Sequence, residues 1–214
     1  MIKAFIFDMD GTLIDTDIIW VEAMELFLRD NGYPITHENA TLLVYGKSWR
    51  DIYLDISRRF PDIGMNIEEM EEGLHPYFIR LKSSRDVRIT GSIDLLKRLS
   101  KNYPAVIVSG SSRKTVDETI AELELEPRVI FSLAAEDYSP GKPNPACYLM
   151  AAKKLGVPPI QCVVFEDSAA GVKAAKQAGM YCVALARKNA PKQDMSIADE
   201  ILEDLADYAP PQPR

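Results

Sequence analysis

FIFDMDGTLIDT, residues 5–16, is the stretch that decides the fold of this 214-residue chain. An apolar run stops at Asp8, and a second carboxylate follows two positions later at Asp10. Residues two positions apart in a strand lie on the same face, about 6.6 Å from one another. Gly11 lets the chain turn sharply after the acids, and the hydroxyl of Thr12 is expected to orient Asp10 or to stabilise the turn. Taken alone, Asp-Gly also fits an ordinary turn.

Five short apolar runs predict a parallel β-sheet. Most of them are rich in β-branched or aromatic residues, which is typical of strands that are buried on both faces. Helical patterns lie between them, and strand and helix alternate along the chain. This alternation predicts an α/β fold with a doubly wound parallel sheet. The runs are residues 2–7, 105–108, 129–131, 162–165 and 181–185, and the helical patterns are residues 92–101, 112–123, 145–155 and 168–178.

One long segment breaks this alternation, because it contains amphipathic stretches but no strand pattern. The stretches are residues 20–29, 49–60 and 67–82. We therefore expect a helical insert in a discontinuous core, which permits hinge motion between the two. The predicted domains are residues 1–15 as the first core segment, 16–86 as the helical insert and 87–214 as the second core segment.

Composition limits the partners of the chain. The formal charge of −7 disfavours nucleic acid or an anionic membrane surface as a partner. The three cysteines form no C-x-x-C motif, which favours a reducing compartment. No apolar run is long enough to span a membrane, and the first residues lack the pattern of a signal peptide. We expect a soluble, cytoplasmic protein.

Two later stretches also place polar residues after a predicted strand. In VIVSGSS, residues 106–112, the hydroxyl of Ser109 and the amides from Gly110 onward suit phosphate oxygens beside a helix N-terminus. In GKPNP, residues 141–145, Lys142 precedes a proline that restricts the backbone, and its ammonium group is a candidate for the same anion. Each stretch alone also fits helix capping or a solvated loop.

Glu166 and Asp167 end the fourth run, in VVFEDSAAG, residues 163–171. By themselves they suit the start of a helix. Since the carboxyl ends of parallel strands meet at one edge of a sheet, we expect these acids to lie near Asp8 and Asp10. Four carboxylates repel one another unless a cation neutralises them, and hard oxygen ligands favour Mg²⁺. The sequence therefore predicts a magnesium site at this edge.

The order DMDGT, VSGSS, GKPNP, FEDSAAG resembles the haloacid dehalogenase superfamily, and within it the phosphatase and β-phosphoglucomutase group. The resemblance covers essentially the whole chain, and the helical insert looks like the α-helical cap of that family. It implies a monomeric, Mg²⁺-dependent phosphatase that acts on a small phosphomonoester, such as a sugar phosphate, through an aspartyl-phosphate. Asp8 would be the nucleophile, and Asp10 the general acid and base.

The same resemblance assigns the other site residues. Ser109, Gly110 and Lys142 would bind the phosphoryl group. The metal ligands would be the Asp8 carboxylate, the Asp10 backbone carbonyl and Asp167. Glu166 would act through a metal-bound water or behind the direct ligands.

Several other functions are alternatives. Phosphonate hydrolysis needs a cap lysine, and Lys47 is not placed at the matching position. A scaffold protein with a decayed site is disfavoured because every expected catalytic residue type is present. Dehalogenation is disfavoured, because true dehalogenases lack the second aspartate that this chain has as Asp10. A hexose phosphate mutase is the closer alternative, yet β-phosphoglucomutases carry a cap histidine and a cap arginine where this chain has Trp20 and Trp49. Without that histidine, hydrolysis becomes the easier outcome. A receiver-like phosphoacceptor module is the other non-enzyme alternative, but such modules are shorter and lack a helical insert.

The loop of residues 46–51 in the insert is the candidate reader of the leaving group. A cationic side chain there would meet a second anionic group of the substrate, and a tryptophan would stack on a sugar face. Helix capping, packing inside the insert and solvent exposure explain the same residues equally well. The candidates are Lys47, Ser48, Trp49 and Arg50.

Overall fold

The computed structural model describes residues 1–47, 49–188 and 190–210. The chain forms two compact units. The core unit consists of Met1–Ile14 and Arg88–Arg214, and the insert unit of Asp15–Val87. The backbone of Ile14 bridges to that of Arg88, so the two segments of the core unit meet at their ends.

The insert unit contains four helices within the described residues. They are α1 (Asp17–Asp30), α2 (His37–Val44), α3 (Trp49–Arg59) and α4 (Ile67–Lys82). The indole of Trp20 on α1 stacks on the ring of Phe78 on α4, with centroids 3.8 Å apart. Arg85 donates to both carboxylate oxygens of Glu22, at 2.9 and 2.7 Å, which ties the end of the unit back to α1.

The core unit is a parallel sheet with helices, which confirms the predicted α/β fold. Its strand order is β3-β2-β1-β4-β5-β6. The strands are β1 (Ala4–Phe7), β2 (Ala105–Val108), β3 (Ser132–Leu133), β4 (Cys162–Glu166), β5 (Tyr181–Leu185) and β6 (Glu200–Leu202). The helices are α5 (Thr90–Leu99), α6 (Arg113–Glu122), α7 (Ala146–Leu155) and α8 (Ala169–Gln177).

Strand β1 is central because both of its faces are covered. Ala4 and Ile6 share one hydrophobic cluster with buried residues of α7 and α8. Phe5 points to the other face, where its ring makes edge contacts with Tyr103 and Tyr208 at centroid distances of 5.3 and 6.4 Å. A strand that is apolar at every position therefore has a partner layer on each side, as a parallel sheet requires.

Three elements differ from the sequence prediction. The third strand was expected at residues 129–131, but the assigned pairs to β2 begin at Ser132. The amide of Ile130 already donates to Ala105 O at 3.0 Å, so the apolar run leads into the strand and does not form it. Strand β6 and helix α2 were not predicted.

No helix among the described residues is both long and apolar enough to cross a membrane.

Candidate active site

The site lies where the chain order in the sheet reverses. Strand β1 pairs with β2 on one side and with β4 on the other. Phe7 is in register with Phe165, and the amide of Asp8 donates to Phe165 O at 3.0 Å. The residues that follow β1 and the end of β4 therefore lie side by side. In open parallel sheets this switch point is the place where ligands bind.

Lys142 joins the acids of the two strands. Its Nζ donates to Asp8 Oδ1 at 2.5 Å and to Glu166 Oε1 at 2.5 Å. Asp8 is 6% exposed and Glu166 is fully buried. Asp8, Glu166 and Asp167 each offer one carboxylate oxygen, and these atoms lie within 4.8 Å of one another. The sequence-derived acids and lysine thus meet in one buried cluster.

Glu166 is held by hydrogen bonds on both oxygens. Oε1 accepts from Lys142 and from the hydroxyl of Tyr148, the latter at 2.7 Å. Oε2 accepts from the amides of Asp167 and Ser168 and from the Ser168 hydroxyl, each at 3.0 Å. Because its lone pairs are occupied, Glu166 is suited to fixing Lys142 and not to ligating a metal directly. Its expected place behind the ligands stays a prediction.

The charges in this cluster do not balance. Burial raises the pKa of Asp8 well above its usual range, and Glu166 and Asp10 act in the same direction while Lys142 opposes them. Burial alone would lower the pKa of Lys142, but the neighbouring carboxylates hold it well above its ordinary value. One ammonium therefore faces more negative charge than it neutralises. An additional cation would allow Asp8 to stay ionised.

The residues present fit a divalent cation. Asp8 and Asp167 supply hard carboxylate oxygens in a buried setting, which suits Mg²⁺. Gly11 has a φ of +83°, and a Cβ there would lie 2.0 Å from Asp167 Oδ2. The turn after β1 thus packs directly against the second carboxylate. The Thr12 hydroxyl donates to Asp167 Oδ1 at 3.3 Å, so the expectation that it orients Asp10 is wrong.

Asp10 is held by two serine hydroxyls from the loop after β2. Ser109 Oγ donates to Asp10 Oδ2 at 2.9 Å, and Ser111 Oγ donates to the same oxygen at 2.7 Å. Ser109 is fully buried, whereas Gly110 between them is exposed. The predicted phosphate binder Ser109 therefore contacts the predicted general acid, and the role of Gly110 stays a prediction.

The insert loop contains side chains with different surroundings. Lys47 Nζ donates to Asp55 Oδ2 at 2.8 Å, so its charge is engaged inside the insert unit. Trp49 begins α3 and is half-buried, and Arg50 is exposed. Ser48, the remaining candidate, lies outside the described residues.

Sequence reasoning missed Tyr148 and assigned no role to Ser111. Tyr148 occupies an apolar position of α7, and nothing in the pattern separates it from an ordinary core residue. Lys142 Nζ lies 5.2 Å from the centroid of the Tyr148 ring. The hydroxyl of the same tyrosine donates to Glu166. Ser111 had a usable signal, because it follows Ser109 by two positions as Asp10 follows Asp8.

Comparisons with known proteins identify the family. The model for haloacid dehalogenase-like hydrolases matches residues 2–179. Validoxylamine A 7'-phosphate phosphatase of Streptomyces hygroscopicus subsp. limoneus is 30% identical over 97% of this chain and 96% of its own length. Phosphorylated carbohydrates phosphatase of Thermotoga maritima is 31% identical over 83% of this chain and 82% of its own. A solved β-phosphoglucomutase from Clostridium difficile has a TM-score of 0.77 at 25% identity, over 96% and 92% of the two chains.

This chain therefore belongs to the haloacid dehalogenase-like hydrolase family. The family and the names of its relatives make it a phosphoric monoester hydrolase. Family membership and an acid pair that follows the first strand both argue against the receiver-like alternative.

Proposed function

We propose that this hydrolase is a Mg²⁺-dependent phosphatase that acts on a small phosphomonoester through an aspartyl-phosphate on Asp8. The observation that carries the proposal is the buried meeting of Asp8, Lys142 and Asp167 beside Asp10. A phosphate ester is already anionic, so a carboxylate can attack it only where positive charge screens both groups.

Asp8 and Lys142 perform the first half of the reaction. A carboxylate oxygen of Asp8 attacks phosphorus, and the ammonium of Lys142 offsets the charge that Asp8 and the phosphoryl oxygens share. Asp10 gives a proton to the oxygen that leaves. Covalent capture divides one difficult displacement into two easier ones.

Asp10 acts as the general base in the second half of the reaction. Asp10, now ionised, takes a proton from the water whose oxygen attacks phosphorus; the bond from phosphorus to the Asp8 oxygen breaks, inorganic phosphate leaves and the Asp8 carboxylate is regenerated. Asp8, Asp167 and the Asp10 carbonyl are the residues that would hold Mg²⁺. When bound, the ion supplies positive charge to the transferring phosphoryl group.

The substrate class follows from the relatives. One relative is named for phosphorylated carbohydrates and another for fructose 1-phosphate. We infer that this chain hydrolyses a phosphorylated sugar or a similar metabolite, and that Trp49 and Arg50 of the insert loop contact its leaving group. Lys47 is the weaker candidate because Asp55 already pairs with it.

A mutase is the second candidate, favoured by the likeness to β-phosphoglucomutase. In the insert unit, Trp20 is stacked on Phe78 and offers no imidazole at the position where those mutases carry a histidine. Hexose 1-phosphate separates the two reactions. Free hexose and inorganic phosphate indicate a phosphatase, whereas hexose 6-phosphate as the main product indicates a mutase.

Turnover of 4-nitrophenyl phosphate tests the proposal directly. We expect phosphate release with Mg²⁺, none with EDTA, and recovery when Mg²⁺ is added back. Asp8→Asn keeps the shape but removes the nucleophile, and should lower kcat by roughly 10³-fold or more. Asp94→Asn changes an exposed carboxylate on α5 and is the matched control.

Mass spectrometry after acid quench should find one phosphoryl group on the peptide that contains Asp8. Wild-type turnover in Asp8→Asn, or a phosphoryl group on another residue, would contradict the assignment.

A further inference from the structure

The Ser111 hydroxyl contacts Asp10 in a way that the proposed mechanism does not use. It donates to Asp10 Oδ2 at 2.7 Å, and Ser109 Oγ donates to the same oxygen at 2.9 Å. We propose that Ser111 is a positioning residue, which orients Asp10 so that its other oxygen delivers the proton to the leaving group. This inference rests on the proposed phosphatase function.

The loop that carries Ser111 is itself fixed. The amide of Ser111 donates to Ser109 Oγ at 2.9 Å, and its carbonyl accepts from the amide of Ala135 at 2.9 Å. The Tyr138 hydroxyl donates to Ser109 O at 2.8 Å. Both serines are thus held by their backbones, so the position from which the Ser111 side chain reaches Asp10 is fixed.

Arg113 secures the neighbouring segment. Its guanidinium donates to Ser132 Oγ at 2.7 Å and to Ser132 O at 3.2 Å, and it pairs with Asp137. These contacts join the first turn of α6 to residues 132–137, which include the amide that holds Ser111. The serine pair is therefore anchored from two elements.

The two donors decide where Asp10 carries a proton. A carboxyl oxygen has two lone pairs, and Oδ2 already accepts two hydroxyl hydrogens. A proton on Asp10 therefore belongs on Oδ1. In the first chemical step, an Asp8 oxygen forms a bond to phosphorus, the bond from phosphorus to the ester oxygen breaks, and that oxygen keeps the electron pair. It takes the proton of Asp10 Oδ1, which leaves aspartyl-phosphate, an alcohol and ionised Asp10.

Ser111 matters most when substrate is bound. The phosphoryl oxygens compete with Asp10 for the hydroxyl of Ser109, which the family resemblance assigns to phosphate binding. If Ser109 turns to the phosphoryl group, Ser111 keeps one hydrogen bond on Asp10 Oδ2. Loss of Ser111 should then impair proton delivery more than it impairs phosphoryl binding.

A series of aryl phosphates tests this role, because a poor leaving group needs the proton and a good one does not. With saturating Mg²⁺, Ser111→Ala should lower kcat/KM about 100-fold for phenyl phosphate but less than about fivefold for 4-nitrophenyl phosphate. The dependence of kcat/KM on leaving-group acidity becomes steeper than in the wild type. If Ser111 had a merely structural role, its loss would lower kcat/KM by the same factor for both substrates.

Two variants complete the test. Ser111→Thr keeps a hydroxyl and should restore the wild-type dependence of kcat/KM on leaving-group acidity. Ser112→Ala removes the cap of α6, where Ser112 Oγ accepts from the Thr115 amide at 3.3 Å, and should weaken the helix without changing that dependence. An unchanged dependence in Ser111→Ala, with an active wild type, overturns the inference alone. A wild type that releases no phosphate overturns the proposed function as well.

Discussion

At the scale of single residues, Gly11 is constrained twice. Its φ of +83° lies in the left-handed region, and its Cα faces the carboxylate of Asp167. An L-amino acid in this backbone conformation destabilises the fold by about 1–2 kcal/mol. A methyl group would in addition displace a carboxylate that we assign to Mg²⁺.

Gly11→Ala should therefore lose both stability and activity. Gly179 is the matched control, since its φ is +74° but a Cβ there meets nothing within 4 Å. We expect Gly179→Ala to lose about 1–2 kcal/mol in urea unfolding, and Gly11→Ala to lose more than that, to lower kcat/KM and to weaken Mg²⁺ activation. If kcat/KM and Mg²⁺ activation were equal in the two variants, the close contact between Gly11 and Asp167 would have no role in activity.

Two buried tyrosines differ in what their hydroxyls do. Tyr148 donates to Glu166, whereas the hydroxyl of Tyr208 has no hydrogen-bond partner within the part of the chain that the structure describes. Replacing Tyr148 takes one of two hydrogen bonds from a buried carboxylate oxygen, whereas removing an unpaired hydroxyl takes none.

Tyr148→Phe should accordingly destabilise the protein by about 1–3 kcal/mol, while Tyr208→Phe should change the free energy of unfolding little or raise it slightly. Chemical denaturation of both variants measures the difference. A larger loss for Tyr208→Phe would show that its hydroxyl does have a partner in solution.

At the scale of elements, sequence patterns predicted a strand correctly where all of its residues are buried, and missed a strand that is partly exposed. Strand β1 is apolar throughout and fully buried, so its pattern is unambiguous. Strand β6 has only three residues at the sheet edge, and Ile201 in it is half exposed. An edge strand this short carries too few alternations to distinguish it from a loop.

Among the active-site residues, some are visible in local sequence patterns and others are not. Asp8 and Asp167 could be found in sequence because both follow apolar runs whose carboxyl ends are expected at one edge of the sheet. Tyr148 has an ordinary place in an apolar helix face, and its role appears only when α7 packs on the sheet and the hydroxyl reaches Glu166. Contacts that depend on how elements pack leave no mark on local patterns.

At the scale of the whole molecule, we propose that the chemistry and the choice of substrate belong to different units of the chain. Each catalytic and metal-binding candidate belongs to the core unit, and each leaving-group candidate belongs to the insert unit. Substitutions in the insert should therefore change which ester is used more than how fast phosphorus is transferred.

Arg50→Ala tests this division. We expect KM for a phosphorylated sugar to rise about tenfold, equivalent to about 1.4 kcal/mol, while 4-nitrophenyl phosphate turnover changes less than about twofold. Arg59→Ala, another exposed arginine on α3, is the control. An equal effect on both substrates would mean that Arg50 supports the insert and does not read the leaving group.

The central place of β1 also sets an order of assembly. Phe5 pairs with Ala105 and with Val163, and Asp8 meets Lys142 only across the same long span of sequence. On the ribosome, the whole helical insert has been synthesised before either neighbour of the first strand exists. Asp8, the proposed nucleophile, is therefore synthesised before Lys142 and Asp167, and the nascent chain can complete its pocket only after both of those residues have followed.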